Sequence, residues 1–156
     1  MISANLEVIW AMSAKMEPRR LVTRFYDEVW NRPDPSVIPQ LFHEDCVLRL
    51  SLGVERRGHE GMADYVREVT AAIAGFHCEI EALVVEAERA FAKMRFSGRH
   101  TGPLLGFAPT GAEIAWEGAA LFDTEGGRIR SLWVLGDLAG LTALLERHAG
   151  GAGSGR

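Results

Sequence analysis

The spacing of apolar residues along the chain predicts where helices form. Between residues 21 and 30, apolar side chains recur every three or four positions, which indicates an amphipathic helix that Pro33 ends. The same spacing predicts a short helix over Ser36–Phe42 and a longer one over Met62–Ala74. It returns near the end of the chain, over Leu138–His148. Four helices are therefore predicted.

Strands are predicted where apolar and polar side chains alternate. One strand, Cys46–Leu52, precedes the long central helix. The other strands follow Gly75 and are predicted over Phe76–Glu86, Ala90–Thr101, Glu113–Asp123 and Arg128–Leu135. The dipeptide Gly126-Gly127 favours a hairpin turn between the last two strands, because glycine readily adopts the positive φ that such turns need.

Helices and strands that are segregated along the chain indicate an α+β fold. We expect a curved antiparallel sheet whose concave side is covered by helices, which together make a cone. The interior of such a cone is either a packed core or a ligand pocket. A single domain is predicted over residues 18–148. A helical extension over 1–17 would precede it, and the Gly-rich tail over 149–156 is expected to be disordered.

Composition and charge narrow the classes of function. Hydrophobic residues make up 47% and charged residues 24% of the 156 residues, with a net charge of -4, which is ordinary for a globular protein. No basic stripe predicts a nucleic-acid partner, and no apolar run approaches the roughly 20 residues of a membrane span. Glu7 interrupts an N-terminus without a basic region, so no export signal is predicted. We expect a cytoplasmic protein with Cys46 and Cys78 as buried thiols.

Asp137 is the most informative polar residue because of its place in the alternation. It shares the parity of Trp133, so if Trp133 points into the core, Asp137 points the same way. A carboxylate on an apolar face must be paired, hydrated or neutralised. In a dry pocket its pKa would rise, and it would serve as a general acid or base. The structural alternative is an N-cap for the helix that starts at Leu138.

Two more residues are candidates for contact with a ligand. His100 lies on the apolar parity of its strand, beside a Gly/Pro-rich loop over residues 102–112. It either acts on a substrate carbonyl or is a hydrogen-bonded core residue. Arg49 shares a strand face with Val47 and Ser51. It would bind an anionic or carbonyl oxygen if this face lines the cavity, and it would be solvated if it does not.

The remaining candidates for a functional site are aromatic residues and possible metal ligands. Three tryptophans are predicted to be core aromatics, with the floor of a pocket for a flat apolar ligand as the alternative: Trp30, Trp116 and Trp133. His77, Glu79 and Glu81 alternate along one strand. Such a row does not close a coordination sphere by itself, so no metal site is predicted.

Four stretches of the sequence resemble one protein family. They are FYDEVWNRPD at 25–34, GRHTGPLLGFAPTG at 98–111, EGAALFDTEGGRIRSLW at 117–133 and WVLGD at 133–137. Through them the chain resembles the SnoaL-like polyketide cyclase group of the NTF2-like superfamily, which is also called the cystatin-like α+β barrel. The likeness extends over residues 21–145 and implies the cone described above.

The resemblance also implies a function. The implied protein is a homo-oligomeric enzyme, a lyase or isomerase, that needs no metal and no organic cofactor. Its substrate would be a small, apolar, oxygenated molecule. By likeness to the family's W-x-x-x-D motif, Asp137 would be the general acid/base of an intramolecular aldol closure, and His100 would face the substrate. Trp30, Trp116 and Trp133 would line its pocket. Arg49 stands where the family commonly has His or Asn, which departs from the pattern.

Other functions stay open. Opening of an epoxide by water needs an Asp-Arg-Asp arrangement, for which only Asp137 and Arg49 are candidates. A binding protein would take up the same ligand without turnover. A ketosteroid isomerase-like reaction usually needs a tyrosine and a protonated acid as donors. The only tyrosines, Tyr26 and Tyr65, lie on predicted helices, which disfavours this reaction.

Self-association is also predicted. The outward parity of two adjacent strands carries the apolar residues Phe91, Ala119 and Leu121. An apolar sheet face that is exposed on a single chain is usually covered by another copy. We therefore expect a homodimer.

Overall fold

The computed structural model describes residues 15–151. Residues 1–14 and 152–156 lie outside the described residues, so the predictions for most of the N-terminal extension and for the end of the tail remain predictions. The predicted helical extension does not continue through Lys15–Glu17, which is not helical. The last helix continues to Gly151, three residues beyond its predicted end.

Within residues 15–151, four α-helices and six strands form the fold. The helices are α1 (Pro18–Arg24), α2 (Ile38–Leu41), α3 (Gly58–Ala72) and α4 (Leu138–Gly151). The strands are β1 (Phe42–Arg49), β2 (Glu55–Arg57), β3 (Ile73–Glu86), β4 (Arg89–His100), β5 (Glu113–Glu125) and β6 (Arg128–Gly136). A π-helical segment, Phe25–Asn31, continues α1, and a short 3-10 helix, Pro35–Val37, precedes α2. No helix in this part of the chain is long and apolar enough to cross a membrane.

The strands form one curved, unclosed sheet in the order β2-β1-β6-β5-β4-β3. The α+β cone predicted from the sequence is confirmed, and the sheet is antiparallel except where β1 runs parallel to β6. The turn between β5 and β6 is Gly126-Gly127, with φ of +61° and +80°, as its composition predicts. Strand β2 was not predicted, because its three residues are all charged and show no alternation.

The concave face of the sheet packs under the helices and forms the core. In β4 the predicted alternation is confirmed: from Ala90 to His100 every even-numbered residue is buried, and every odd-numbered residue is exposed or half-buried. The same face of β5 buries Ile114, Trp116 and Phe122. Burial of such side chains supplies most of the stabilisation of a domain of this size.

The π-helical segment packs against the concave face of the sheet and buries Phe25, Tyr26, Val29 and Trp30. The Arg32 N–H donates to the Asp27 carbonyl, five residues back, over 3.0 Å, and π turns of this kind are frequent at functional sites. Asn31 fastens the segment to β3. Its Nδ2 donates to the Cys78 carbonyl over 2.9 Å, and its Oδ1 accepts the Cys78 N–H over 2.7 Å. The Trp-Asn end of the first motif therefore fixes the helix on the sheet.

A β-bulge in β6 overturns one prediction made from parity. Asp123 pairs with Ser131, but the next residue, Thr124, pairs with Ile129, so Arg130 is an extra residue in β6. The extra residue reverses the facing of the strand, so Ile129 is buried whereas Trp133 is 42% exposed. The expectation that Trp133 is a core aromatic is therefore wrong.

Candidate functional site

An enclosed cavity of about 20 Å³ lies between the helical layer and the sheet. Its walls are mostly aromatic, and they include Phe25, Tyr26, Trp30, Tyr65, Phe76 and Phe96. The lining residues with a polar side-chain group are Tyr26, Trp30, Ser51 and Tyr65. Among the described residues, no carboxylate, guanidinium or imidazole lines it. The walls of the cavity are therefore uncharged and mainly apolar.

The Tyr26 hydroxyl is the most distinctive group of the cavity. Tyr26 comes from the π-helical segment and is 2% exposed, and its hydroxyl has no hydrogen-bond partner in the described part of the chain. Burial, with a smaller effect of Cys78, holds its pKa well above the usual value of 10. The group is therefore a neutral donor. A buried donor without an acceptor costs about 1–3 kcal/mol, which an acceptor on a ligand or a water would offset.

Tyr65 and Ser51 form a second polar group of the wall. The Tyr65 hydroxyl and the Ser51 Oγ are 3.0 Å apart, and the same hydroxyl oxygen accepts the Leu52 N–H over 3.2 Å. Burial raises the pKa of Tyr65 to about 12, although the hydrogen bonds from Ser51 and Leu52 oppose this shift. Tyr65 is therefore also neutral at physiological pH, and it is held in place on the turn that follows β1.

Trp30 and Trp116 are buried on the concave side, as predicted. Trp30 lines the cavity, with its ring 5.1 Å from that of Phe76 and 5.8 Å from that of Tyr65. Trp116 packs 5.4 Å from the Phe96 ring, and its Nε1 is buried without a partner among the described residues. A Cβ on Gly136 would lie 3.3 Å from this nitrogen and 2.5 Å from the Ser51 carbonyl oxygen. Only glycine therefore leaves room for this close approach.

His100 is fully buried and holds the Gly/Pro-rich loop in place. Its Nδ1 accepts the Thr110 N–H over 3.2 Å and lies 2.9 Å from the Thr110 Oγ1. An Nδ1 that accepts a hydrogen bond leaves the proton of a neutral ring on Nε2, and Nε2 has no partner in residues 15–151. His100 does not line the enclosed cavity. A catalytic role for His100 remains a prediction.

Asp137 lies outside the cavity. Its Oδ1 accepts the Gly140 N–H over 2.9 Å, so the carboxylate caps the first turn of α4, and the side chain is exposed. It borders a wide, open cleft on the outer side of the sheet, together with Lys93 and Glu117. The structure thus has the N-cap arrangement that was the alternative to an inward-facing carboxylate.

Arg49 and Trp133 also lie on the outer face of the sheet. The Arg49 Nη1 donates to the Val134 carbonyl over 2.6 Å, and its guanidinium carbon lies 5.8 Å from the centre of the Trp133 ring. This arrangement is a cation–π contact at the surface. Neither residue lines the cavity, so the structure does not bring them together with Trp30 or Trp116.

Sequence reasoning did not select the three hydroxyl-bearing residues of the cavity. Tyr26 and Tyr65 were set aside because they lie on predicted helices, and Ser51 was named only as a neighbour of Arg49 on one strand face. The available signal was that both tyrosines belong to the apolar stripes of their helices, so their hydroxyls must end inside the protein. No group of three His, Cys, Asp or Glu side chains within residues 15–151 is arranged to hold a metal ion.

The fold defines a class of protein, namely a cone of the NTF2-like or ketosteroid isomerase-like type. The family model of the SnoaL-like polyketide cyclases matches residues 20–145. The chain therefore belongs to the SnoaL-like polyketide cyclase family. No curated protein is significantly similar in sequence.

Solved structures agree with this family. TsrD from Streptomyces laurentii is 29% identical, with a TM-score of 0.73 over 81% of this chain and 92% of TsrD. A SnoaL-like polyketide cyclase from Agrobacterium tumefaciens is 18% identical, with a TM-score of 0.72 over 83% of this chain and 98% of the other. A hypothetical protein from Catenulispora acidiphila with a ketosteroid isomerase-like fold is 20% identical, with a TM-score of 0.69 over 84% and 95%. The last two show likeness of fold.

Proposed function

We propose that this chain is a polyketide cyclase-like enzyme that binds a neutral, mainly apolar, oxygenated molecule inside the cone. The observation that carries the proposal is the unpartnered Tyr26 hydroxyl in the wall of an aromatic cavity. A carbonyl oxygen is the acceptor that such a donor lacks. Membership of the family supports a substrate with several carbonyl groups.

The proposed chemistry is an aldol-type ring closure. A base removes a proton from a carbon next to a carbonyl, the resulting enolate attacks a second carbonyl of the same molecule, and the new alkoxide takes up a proton. A neutral Tyr26 would donate to the enolate oxygen, which stabilises the charge that develops there. Asp137 is the proposed base, and in its protonated form the acid that completes the cycle.

The role of Asp137 requires a local movement. Gly136, the residue before it, borders the Ser51 carbonyl and the Trp116 nitrogen. To act inside the cone, the carboxylate has to leave the Gly140 N–H and turn toward this end of the cavity. A cap of this kind contributes about 1 kcal/mol, which a bound substrate can offset.

Ligand binding without turnover is the second candidate function. The observation that favours it is the absence of any carboxylate or imidazole among the described residues that line the cavity. Opening of an epoxide is less well supported, because Arg49 lies on the outer face of the sheet and is engaged by Val134 and Trp133.

Discrimination against charge tests the proposed site. An aryl 1,3-diketone is expected to bind at least tenfold more tightly than the same diketone carrying a carboxylate, because burial of an unpaired charge costs several kcal/mol. Isothermal titration calorimetry with the two compounds measures the difference. Equal affinities, or preference for the carboxylate, would contradict a neutral site inside the cone.

We also propose that the protein is a homodimer that associates through its outer sheet face. Four residues that are cross-strand neighbours form an apolar row on this face: Val84, Phe91, Leu121 and Trp133. Phe91 and Trp133 are each 42% exposed on a single chain. Such a row is typical of a surface that another copy covers. Charged pairs such as Arg89–Asp123 flank it and favour a defined register.

The dimer prediction is tested at Trp133. Trp133→Glu is expected to convert the dimer to a monomer, because it places a charge at one end of the apolar row and removes the aromatic ring that Arg49 contacts. Sedimentation velocity measures the change. Leu105→Glu is the matched control, since Leu105 is 38% exposed but lies away from the row. A wild-type protein that sediments as a monomer would rule out the proposed dimer.

A further inference from the structure

A second cavity lies outside the enclosed one and shares a wall with it. This outer cleft, of about 240 Å³, is lined by apolar residues of the turn after β1, of α3 and of the Gly/Pro-rich loop, including Leu52, Val54, Val69, Leu104 and Leu105. Tyr65 lines both the cleft and the enclosed cavity. Tyr65 is therefore a wall residue that the cavity and the outer cleft have in common.

The enclosed cavity cannot be reached without a movement of its walls. All of its lining residues are at most 9% exposed. Its volume of about 20 Å³ is also far below the roughly 300–1,000 Å³ that is usual for ligand pockets. If the Tyr65 ring turned aside, the cavity and the outer cleft would become one larger pocket.

The position of the Tyr65 ring depends on two hydrogen bonds to one turn. Its hydroxyl is bonded to the Ser51 Oγ and to the Leu52 N–H, over 3.0 Å and 3.2 Å. Both partners belong to the short turn that follows β1, in which Gly53 has a φ of +80°. The hydroxyl is thus bonded to the turn and not to the sheet, while the ring itself packs against Trp30, with ring centres 5.8 Å apart.

The outer cleft has the same chemical character as the interior. Its charged wall residue, Glu68, is occupied by Arg56, whose Nη2 lies 3.1 Å and 3.0 Å from the two carboxylate oxygens. At the rim, Leu105 has a φ of +48° and is 38% exposed. A leucine in this left-handed conformation, and at the surface, is unusual.

We infer that Tyr65 is a movable partition, and that a neutral apolar ligand passes through the outer cleft into the cone and remains in contact with both. The inference rests on the proposed function, since it describes how the ligand of that site reaches it. Tyr65 thereby determines the length of the ligand that the cone accepts. It is a specificity-determining residue and is distinct from the proposed base.

The first test measures the rate at which a ligand associates. The probe is prodan, a neutral naphthyl ketone whose fluorescence reports the polarity of its surroundings, in stopped-flow experiments. Tyr65→Phe keeps the ring and removes both hydrogen bonds, so the association rate is expected to rise about fivefold to tenfold. Ser51→Ala removes one of the two bonds and leaves the ring untouched, so a smaller rise is expected. A purely structural Tyr65 would lower stability without a change in this rate.

The second test blocks the outer cleft. A bulky maleimide attached to Leu105→Cys is expected to slow prodan association at least tenfold. The labelling is selective, because burial raises the pKa of both native thiols, Cys46 and Cys78. Labelled Ala139→Cys is the matched control. Ala139 is exposed and borders the open cleft beside Asp137, so its label should leave the rate unchanged.

The outcomes separate this inference from the proposed function. Slow association of prodan with labelled Leu105→Cys, but not with labelled Ala139→Cys, supports Tyr65 as the partition. Slow association only in labelled Ala139→Cys, or in neither labelled protein, would overturn the partition and leave the cone interior as the site. No prodan binding by any variant, wild type included, would overturn the partition and the proposed function together.

Discussion

Asp137→Asn is expected to lower the turnover of an aryl triketone by about 10²–10⁴-fold, which is the usual contribution of a general acid or base. The fold should be unchanged, because asparagine caps a helix about as well as aspartate. Its side-chain oxygen can still accept the Gly140 N–H that Asp137 accepts now. The variant thus removes the ionisable group and preserves the cap. The measurement is the rate of formation of the cyclised product by liquid chromatography, beside thermal unfolding of both proteins.

Two further variants distinguish the effect of Asp137 on turnover from its effect on stability. Asp137→Ala loses the cap as well as the carboxylate, and it should cost about 1 kcal/mol of stability in addition to turnover. Gly140→Ala keeps the carboxylate, but its added methyl group would overlap the Asp137 Oδ2 and force it off the helix end. Its turnover should be at least that of the wild type. Full turnover by Asp137→Asn would exclude the acid/base role and favour the binding protein without turnover.

Tyr26→Phe is expected to weaken the binding of a neutral aryl diketone about tenfold to a hundredfold. A site built to hydrogen-bond an oxygen loses about 1–3 kcal/mol when the donor is removed. In the free protein the same change should raise the free energy of unfolding, because it deletes a buried hydroxyl that has no partner in residues 15–151. Calorimetric titration and urea unfolding measure the two effects.

Tyr65→Phe is the matched control for this pair of measurements. The Tyr65 hydroxyl is hydrogen bonded to Ser51 and Leu52, so its removal should lower the free energy of unfolding by about 1–3 kcal/mol. The two tyrosine variants are therefore expected to change stability in opposite directions. A Tyr26→Phe protein that is less stable than wild type and binds the diketone equally well would show that the Tyr26 hydroxyl is not a ligand donor.

Several features of this protein followed from local patterns. The 3.6-residue and two-residue periods predicted the long helices and five of the six strands, because those periods reflect which side chains reach a shared core. His100 was placed on the inward parity of β4, and its burial confirms this. Strand β2 escaped prediction because an edge strand of three charged residues needs no apolar face.

Local sequence patterns predicted much less of the geometry of the site than of the fold. Phe25–Asn31 carries the same apolar stripe in an α-helix or a π-helix, so the sequence does not distinguish them. The hydrogen bond from Thr110 to His100 joins residues on a strand and a distant part of the following loop. Only the tertiary structure shows that the His100 ring holds the loop in place and that both tyrosines line one cavity.

The sequence by itself determined the α+β cone, the apolar faces of its helices and the family, because each of these depends on short-range periodicity or on contiguous motifs. The tertiary structure decided which way β6 faces. One extra residue, Arg130, is accommodated in the pairing of β6 with β5, and it turns Trp133 outward. Asp137, of the same parity, then lies at the helix end instead of in the cavity. A bulge arises from the register between two strands, and register depends on contacts that no single stretch of sequence contains.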